Sequence, residues 1–286
     1  MKYLLSITVL LLTLSTTAQD LPAYAIFNQK GKSENFGKMV KKLKEADVVL
    51  FGEQHNDALV HWLQLQLTKA LGEQRSLILG AEMFESDDQV ILDEYLAGTI
   101  THKHFTTEAK VWKNYGTDYK PLVDYGKENG LKFIATNIPR RYASLVNRKG
   151  LEALEGLSDE AKSWIAPLPI TVDLQLPGYA WMVETMGAHT QGNPENIAKS
   201  QASKDATMAY FILKNLDVQS QFIHYHGTFH SNNFEGIYHY LKQGKPELKV
   251  MTIASVSQAS LKKLEEENAA LADFIIVTPM DSPKSY

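Results

Sequence analysis

The chain contains no cysteine. That absence excludes disulfides, thiolate nucleophiles, cysteine-held zinc, iron–sulfur clusters, thiolate-ligated haem and a lipidated cysteine. Any metal would have to be held by His, Tyr, Asp, Glu or Met. Charge of one sign is also scarce: 29 basic against 33 acidic residues leave a formal −4, no footprint for nucleic acid or an anionic membrane. The longest apolar run, Leu4 to Leu14, falls short of the roughly 20 residues a transmembrane helix needs. What remains is the composition of an ordinary globular protein. With 44% hydrophobic residues over 286 positions, it can bury a core without staples and is neither disordered, collagen-like nor coiled coil.

Residues 1–18 begin Met-Lys-Tyr, continue through Leu4–Leu14 and end in Ser-Thr-Thr-Ala, with Thr16 and Ala18 at the −3 and −1 positions of a cut. This is the layout of a secretory signal cleaved near Ala18. The expectation is an exported protein of the periplasm or cell envelope, with no transmembrane span and no lipid anchor through cysteine. Residues 19–286 then form one α/β domain.

Six short apolar runs read as buried strands: 47–51, 77–83, 131–136, 221–226, 248–254 and 274–278. Between most of them lie amphipathic stretches of helical period: 57–71, 87–97, 119–129, 140–149, 203–215, 234–242 and 257–271. Alternating strands and helices predict an α/β fold, a mostly parallel sheet with helices on both faces. Residues 151–200 break the rhythm with Pro167, Pro169, Pro177 and Pro194, and read as an irregular helical insertion or cap. Residues 99–114 form a smaller excursion.

The informative residues follow the strands. Strand one ends Gly52-Glu53-Gln54-His55, and strand two ends at Glu82. The third runs into Asn137-Ile138-Pro139-Arg140, and the fourth into His226-Gly227-Thr228-Phe229-His230. In an open parallel sheet all these ends lie on one edge, where ligands bind. Singly, each residue also fits a structural part: Glu53 and Asn137 as helix caps, a strand-end His as a satisfied polar group. Their convergence points to a site. Gln201, Asp205 and Met208 share one helix face at i, i+4 and i+7, which either approaches that site or ties down the cap. No HExxH occurs. His224 and His226 share a strand face and could bind metal, though His224 reads better as an interior hydrogen-bonded residue.

The segments Gly52-Glu-Gln-His-Asn, Glu82-Met-Phe, Asn137-Ile-Pro-Arg-Arg-Tyr, Gln201-x3-Asp-Ala-Thr-Met-Ala and Gly227-x-x-His together resemble the ChaN family of haem-binding, iron-regulated envelope proteins. The likeness runs in order over most of the chain. It implies an α/β fold, an envelope location, a role in iron or haem acquisition with envelope uptake components, and haem held at a homodimer interface. In that family picture a tyrosine of one subunit ligates iron and the other subunit holds the propionates. The missing lipobox cysteine departs from the lipoprotein members.

Tyrosinate is a hard donor suited to ferric haem. No family ligand maps onto one position here, so the candidates come from surroundings. Among 13 tyrosines, Tyr142 comes first, because Arg140, Arg141, Arg148 and Lys149 offer cations to propionates. Tyr142 also reads as a helix residue packed on the sheet. Tyr179, beside Trp181 and Met182 in the insertion, comes second. The Gly-Glu-x-His start also resembles the erythromycin esterase group, which implies an alternative: a Glu/His-dependent hydrolase. There Glu53, His55, Glu82 and His230 would be catalytic, activating water, or with His226 would hold a divalent metal.

Overall fold

The structure is a computed structural model that describes residues 21–187 and 192–286. The signal read at residues 1–18 lies outside the described residues. Eight strands form one sheet: β1 (Ala25–Asn28), β2 (Ser33–Glu34), β3 (Val48–Glu53), β4 (Ser76–Glu85), β5 (Lys132–Asn137), β6 (Ser220–Gly227), β7 (Val250–Gln258) and β8 (Phe274–Pro279). Their order is β2-β1-β8-β7-β3-β6-β4-β5, with β3 to β8 mutually parallel and the β1–β2 hairpin added antiparallel at one edge. The helices are α1 (Phe36–Leu43), α2 (Ala58–Gly72), α3 (Gln89–Leu96), α4 (His102–Glu108), α5 (Lys120–Glu128), α6 (Arg140–Lys149), α7 (Asp159–Lys162), α8 (Pro177–Gly187), α9 (Glu195–Asn215) and α10 (Ile237–Gly244).

Helices cover both faces, so the inner strands are apolar throughout: Val48 to Phe51 are all fully buried. Alternation sends Val49 and Phe51 to the face packed by α1, α2 and α5, and Val48 and Leu50 to the face packed by α9 and α10. The chain leaves β3 across the first face to reach β4, and leaves β6 across the second to reach β7. Adjacent strands therefore send their connections to opposite sides, and a crevice opens at the carboxyl ends of β3 and β6. All the strand-end residues singled out above lie at or beside this switch point.

Two expectations needed revision. The helix anticipated at 257–271 does not form. β7 runs on to Gln258, whose buried carboxamide donates to Ser260 O and Lys263 O and accepts from Glu265 N and Asn268 Nδ2. One side chain thus satisfies a loop that Leu264 anchors against Phe27, Ile275 and Val277, which removes the need for helix. The helix expected from 203 starts at Glu195, so residues 195–200, read as part of the irregular stretch, belong to α9, and α7 and α8 lie in the remainder of that stretch. Short β1, β2 and α1 went unanticipated. Among the described residues no helix is long and apolar enough to cross a membrane.

Candidate functional site

Glu53, the last residue of β3, points to the first face and is 1% exposed. Its Oε1 accepts from Tyr119 Oη at 2.7 Å and lies 2.9 Å from His55 Nδ1; Oε2 accepts from Gln64 Nε2 at 2.6 Å. Burial opposes its charge, but His61, His55 and Tyr119 outweigh burial and hold the carboxyl below its ordinary range. Gln64 arrives because α2 carries a buried polar stripe, His61, Gln64 and Thr68, at one-turn spacing. Asp57 caps that helix, accepting from Leu59 N and Val60 N.

Glu82 belongs to the opposite face. The β4–β5 register shifts between Ala81 and Glu85, and such an irregularity re-aims side chains. Glu82 Oε2 accepts from Gly227 N at 2.8 Å, and Oε1 lies 3.2 Å from His230 Nε2. His230 Nδ1 meets Asp205 Oδ1 at 2.5 Å, and Asp205 Oδ2 accepts from Tyr179 Oη at 2.6 Å. With a carboxylate at each ring nitrogen, His230 is an imidazolium: burial alone would discharge it, yet Glu82 and Asp205 push it up to about 10. Burial likewise opposes the Glu82 charge, and His230 and His55 hold that carboxyl well below its ordinary range.

His55 sits between the two carboxylates. Its ring lies over Gly227, where an added Cβ would come 2.7 Å from Nε2, and packs edge-on against Trp112 at 4.9 Å. The side chain is 36% exposed. Nδ1 is tied to Glu53, whereas Nε2, which lies over Gly227, has no hydrogen-bond partner among the described residues; the residue borders the crevice. Burial would lower its pKa, but the Glu53 bond and charge raise it above the ordinary value.

His224 and His226 form a separate neutral pair. Thr136 Oγ1 donates to Ala81 O and so receives from His224 Nε2 at 2.7 Å. His224 Nδ1 then accepts from His226 Nδ1 at 3.0 Å, leaving His226 Nε2 to accept from Ser231 Oγ at 2.8 Å. Burial and the His230 charge drive His226 down to about 3, consistent with that neutral chain.

The metal set Glu53, His55, Glu82, His226 and His230 is therefore not assembled. Among the described residues no group of three or more His, Asp or Glu is placed to hold a metal ion. The reason is saturation: the carboxylates are spent on opposite faces, His230 is protonated between two of them, and His226 closes a neutral chain.

Two clefts meet at this edge. One, of about 500 Å3, is floored by His55 and Glu82 and edged by Asn137, Arg140 and Lys204. The other, of about 860 Å3, is bounded by Trp112, Lys113, Arg140, Arg141 and Tyr286. Glu85, Trp112, Arg140 and Ser144 border both, so the crevice is continuous. Lys113, Arg140 and Lys204 have no acidic partner among the described residues, while Arg141 is engaged by Asp87 at 2.6 Å. Asn137 Oδ1 is buried without a partner.

Of the other sequence candidates, Tyr142 is half-buried on the flank of α6, under the Arg141 guanidinium at 4.5 Å, and borders neither cleft. Lys149 is exposed at the end of α6, away from both. Tyr179 is 2% exposed and committed to Asp205; burial and that carboxylate push its phenol up, so this conformation keeps it protonated. Sequence reading missed Gln64, Trp112, Lys113, Tyr119 and Tyr286. The polar stripe on an otherwise apolar α2 was the one signal that could have found Gln64.

The fold and its crevice define a doubly wound α/β protein with a charged, aromatic-edged cleft at the switch point. A family model described as "Haem-binding uptake, Tiki superfamily, ChaN" matches residues 39–241, and the chain belongs to this family. Among solved structures it is similar to ChaN of Campylobacter jejuni, described as binding haem cofacially, with TM-score 0.63 and 18% identity over 89% of this chain and 96% of that one. A Bacillus cereus protein is similar at TM-score 0.52 and 12% identity, covering 87% of this chain and 92% of its own. No curated protein sequence matches.

Proposed function

We propose that this chain is an exported haem-binding protein of the cell envelope that serves iron or haem acquisition, and that it pairs with a second copy when loaded. The observation carrying the reading is the larger cleft. It joins an aromatic wall, Trp112, to two cations without acidic partners among the described residues, Lys113 and Arg140, a pairing suited to a flat apolar ring bearing carboxylates. Bound haem would supply a ferric centre able to take an oxygen ligand; Arg140, Arg141 and Lys149 would meet propionates of one or the other subunit. Tyr142, which borders neither cleft, would serve as iron ligand only across such a dimer; Tyr179 would first have to leave Asp205.

Hemin added to the purified chain should give a Soret band and a ferric tyrosinate spectrum. Removing both cations (Lys113→Ala with Arg140→Ala) should weaken binding on the order of tenfold or more, the scale of two lost charge-assisted contacts. Hemin that washes off on desalting would end the reading.

One observation favours a second reading, a hydrolase that needs no metal. His55, which borders the crevice, keeps Nε2 without a partner among the described residues while Glu53 fixes Nδ1, the arrangement of a general base with its orienting carboxylate. Water would give its proton to Nε2 and attack an ester carbonyl; the alkoxide would leave with that proton. Ester turnover that resists chelators and falls in His55→Gln would support it. Turnover no faster than buffer, across neutral and carboxylate-bearing nitrophenyl esters, would dismiss it.

A further inference from the structure

We infer that a smaller cleft between α2 and α5 is a binding site for a small organic ammonium ion, independent of the haem and hydrolase readings. Its volume is about 310 Å3, and it shares no bordering residue with the two clefts at the strand ends. α2 supplies His61, Trp62 and Leu65, the π-helical turn Tyr115–Tyr119 supplies Thr117 and Asp118, and Ser285 comes from the segment after β8. Neither Lys nor Arg borders it among the described residues, the reverse of the larger cleft with Lys113 and Arg140.

The polar groups of this cleft are acceptors awaiting a donor. Asp118 is 3% exposed; its Oδ2 accepts from Asn114 Nδ2 at 2.7 Å and lies 3.5 Å from His61 Nε2, while Oδ1 has no hydrogen-bond partner among the described residues. Thr117 Oγ1 donates to Asn114 O, which leaves its lone pairs unspent. Ser285 Oγ is buried without a partner among the described residues. Competing cations are engaged elsewhere. His61 also lies 3.6 Å from Glu53 Oε2, so any positive charge on it is shared between two carboxylates. Lys284, beside Ser285 in sequence, is held by Asp57 at 3.0 Å. Trp62 is half exposed, with the Tyr24 ring 6.4 Å away to steady it. An indole and a carboxylate are the groups that attract an ammonium, and the half-buried Leu65 adds an apolar wall for its carbon stem.

The test is a calorimetric titration of the full chain with benzylamine, using benzyl alcohol as the neutral probe of the same shape. We expect benzylamine to bind saturably and benzyl alcohol to bind on the order of tenfold more weakly, the scale of one lost charge-assisted contact. Asp118→Asn should erase that preference of amine over alcohol, a change that a merely loosened fold would not produce. Trp62→Leu should weaken benzylamine roughly two- to fivefold, the scale of an exposed cation–π contact. Because Trp62 is exposed, that variant folds like the parent and decides the matter alone if Asp118→Asn does not fold. The inference is overturned by benzyl alcohol binding as tightly as benzylamine, by amine binding that ignores both substitutions, or by no saturable binding at all.

Discussion

Asp205→Ala should lower folding stability by about 3–5 kcal/mol, the scale of breaking a buried ion pair from one side. Asp205 is 0% exposed and bridges His230 and Tyr179. Its loss strands a buried imidazolium on one carboxylate and leaves a buried hydroxyl unpaired. Urea unfolding followed by circular dichroism measures the difference; a loss under about 1 kcal/mol, typical of an exposed pair, would show that the cluster is wet and loose.

The same cluster sets a pH dependence. The His230 pKa is raised from 6.5 to about 10, so its contribution is complete below 6.5, fades as pH climbs and is gone once the folded group titrates near 10. Glu82 is shifted downward from 4.5, so its contribution is present above that value and is lost as acid reaches its lower folded pKa. Stability from this pair should peak between those two ordinary values and fall on the alkaline side. In His230→Gln the alkaline slope should flatten. An unchanged slope would assign it to other groups.

Gly236→Ala is the second large effect. Gly236 has φ 55 and ψ −122, which side chains with a Cβ avoid. A Cβ there would collide with the His230 carbonyl oxygen and lie 3.3 Å from Asp205 Cγ. Strain and collision together should cost about 3 kcal/mol or more and displace His230 from Glu82. Gly98→Ala provides the comparison: φ is +77 but nothing lies within 4 Å, so it should cost only about 1 kcal/mol. Equal thermal shifts for the two variants would mean that the His230 loop yields freely and does not position the ring.

The parallel core strands were legible because each is a short apolar run, four of the six stopped by Gly52, Asn137, Gly227 or Pro279, and a strand covered on both faces needs no alternation to be recognised. The Glu53, Glu82 and His230 cluster was legible for a related reason, since strand ends of a parallel sheet share one edge. The β1–β2 hairpin was not, because four and two residues carry too little pattern. The 257–271 loop was misjudged because its periodicity suits a helix, and only the buried Gln258 shows why another conformation holds it.

Residue order alone determined the parallel α/β architecture, the edge on which the polar residues gather and the kinship with haem-binding ChaN proteins. Tertiary structure decided which of those residues can act. Glu53 and Glu82 fell to opposite faces, His226 was closed into a neutral chain, and among the strand-end histidines described only His55 kept a ring nitrogen without a partner. It also carried Tyr286 to Trp112 and Lys113, more than a hundred residues away in sequence. Local pattern encodes which element forms, but whether a polar atom is spent or free depends on partners that only folding brings within hydrogen-bond reach.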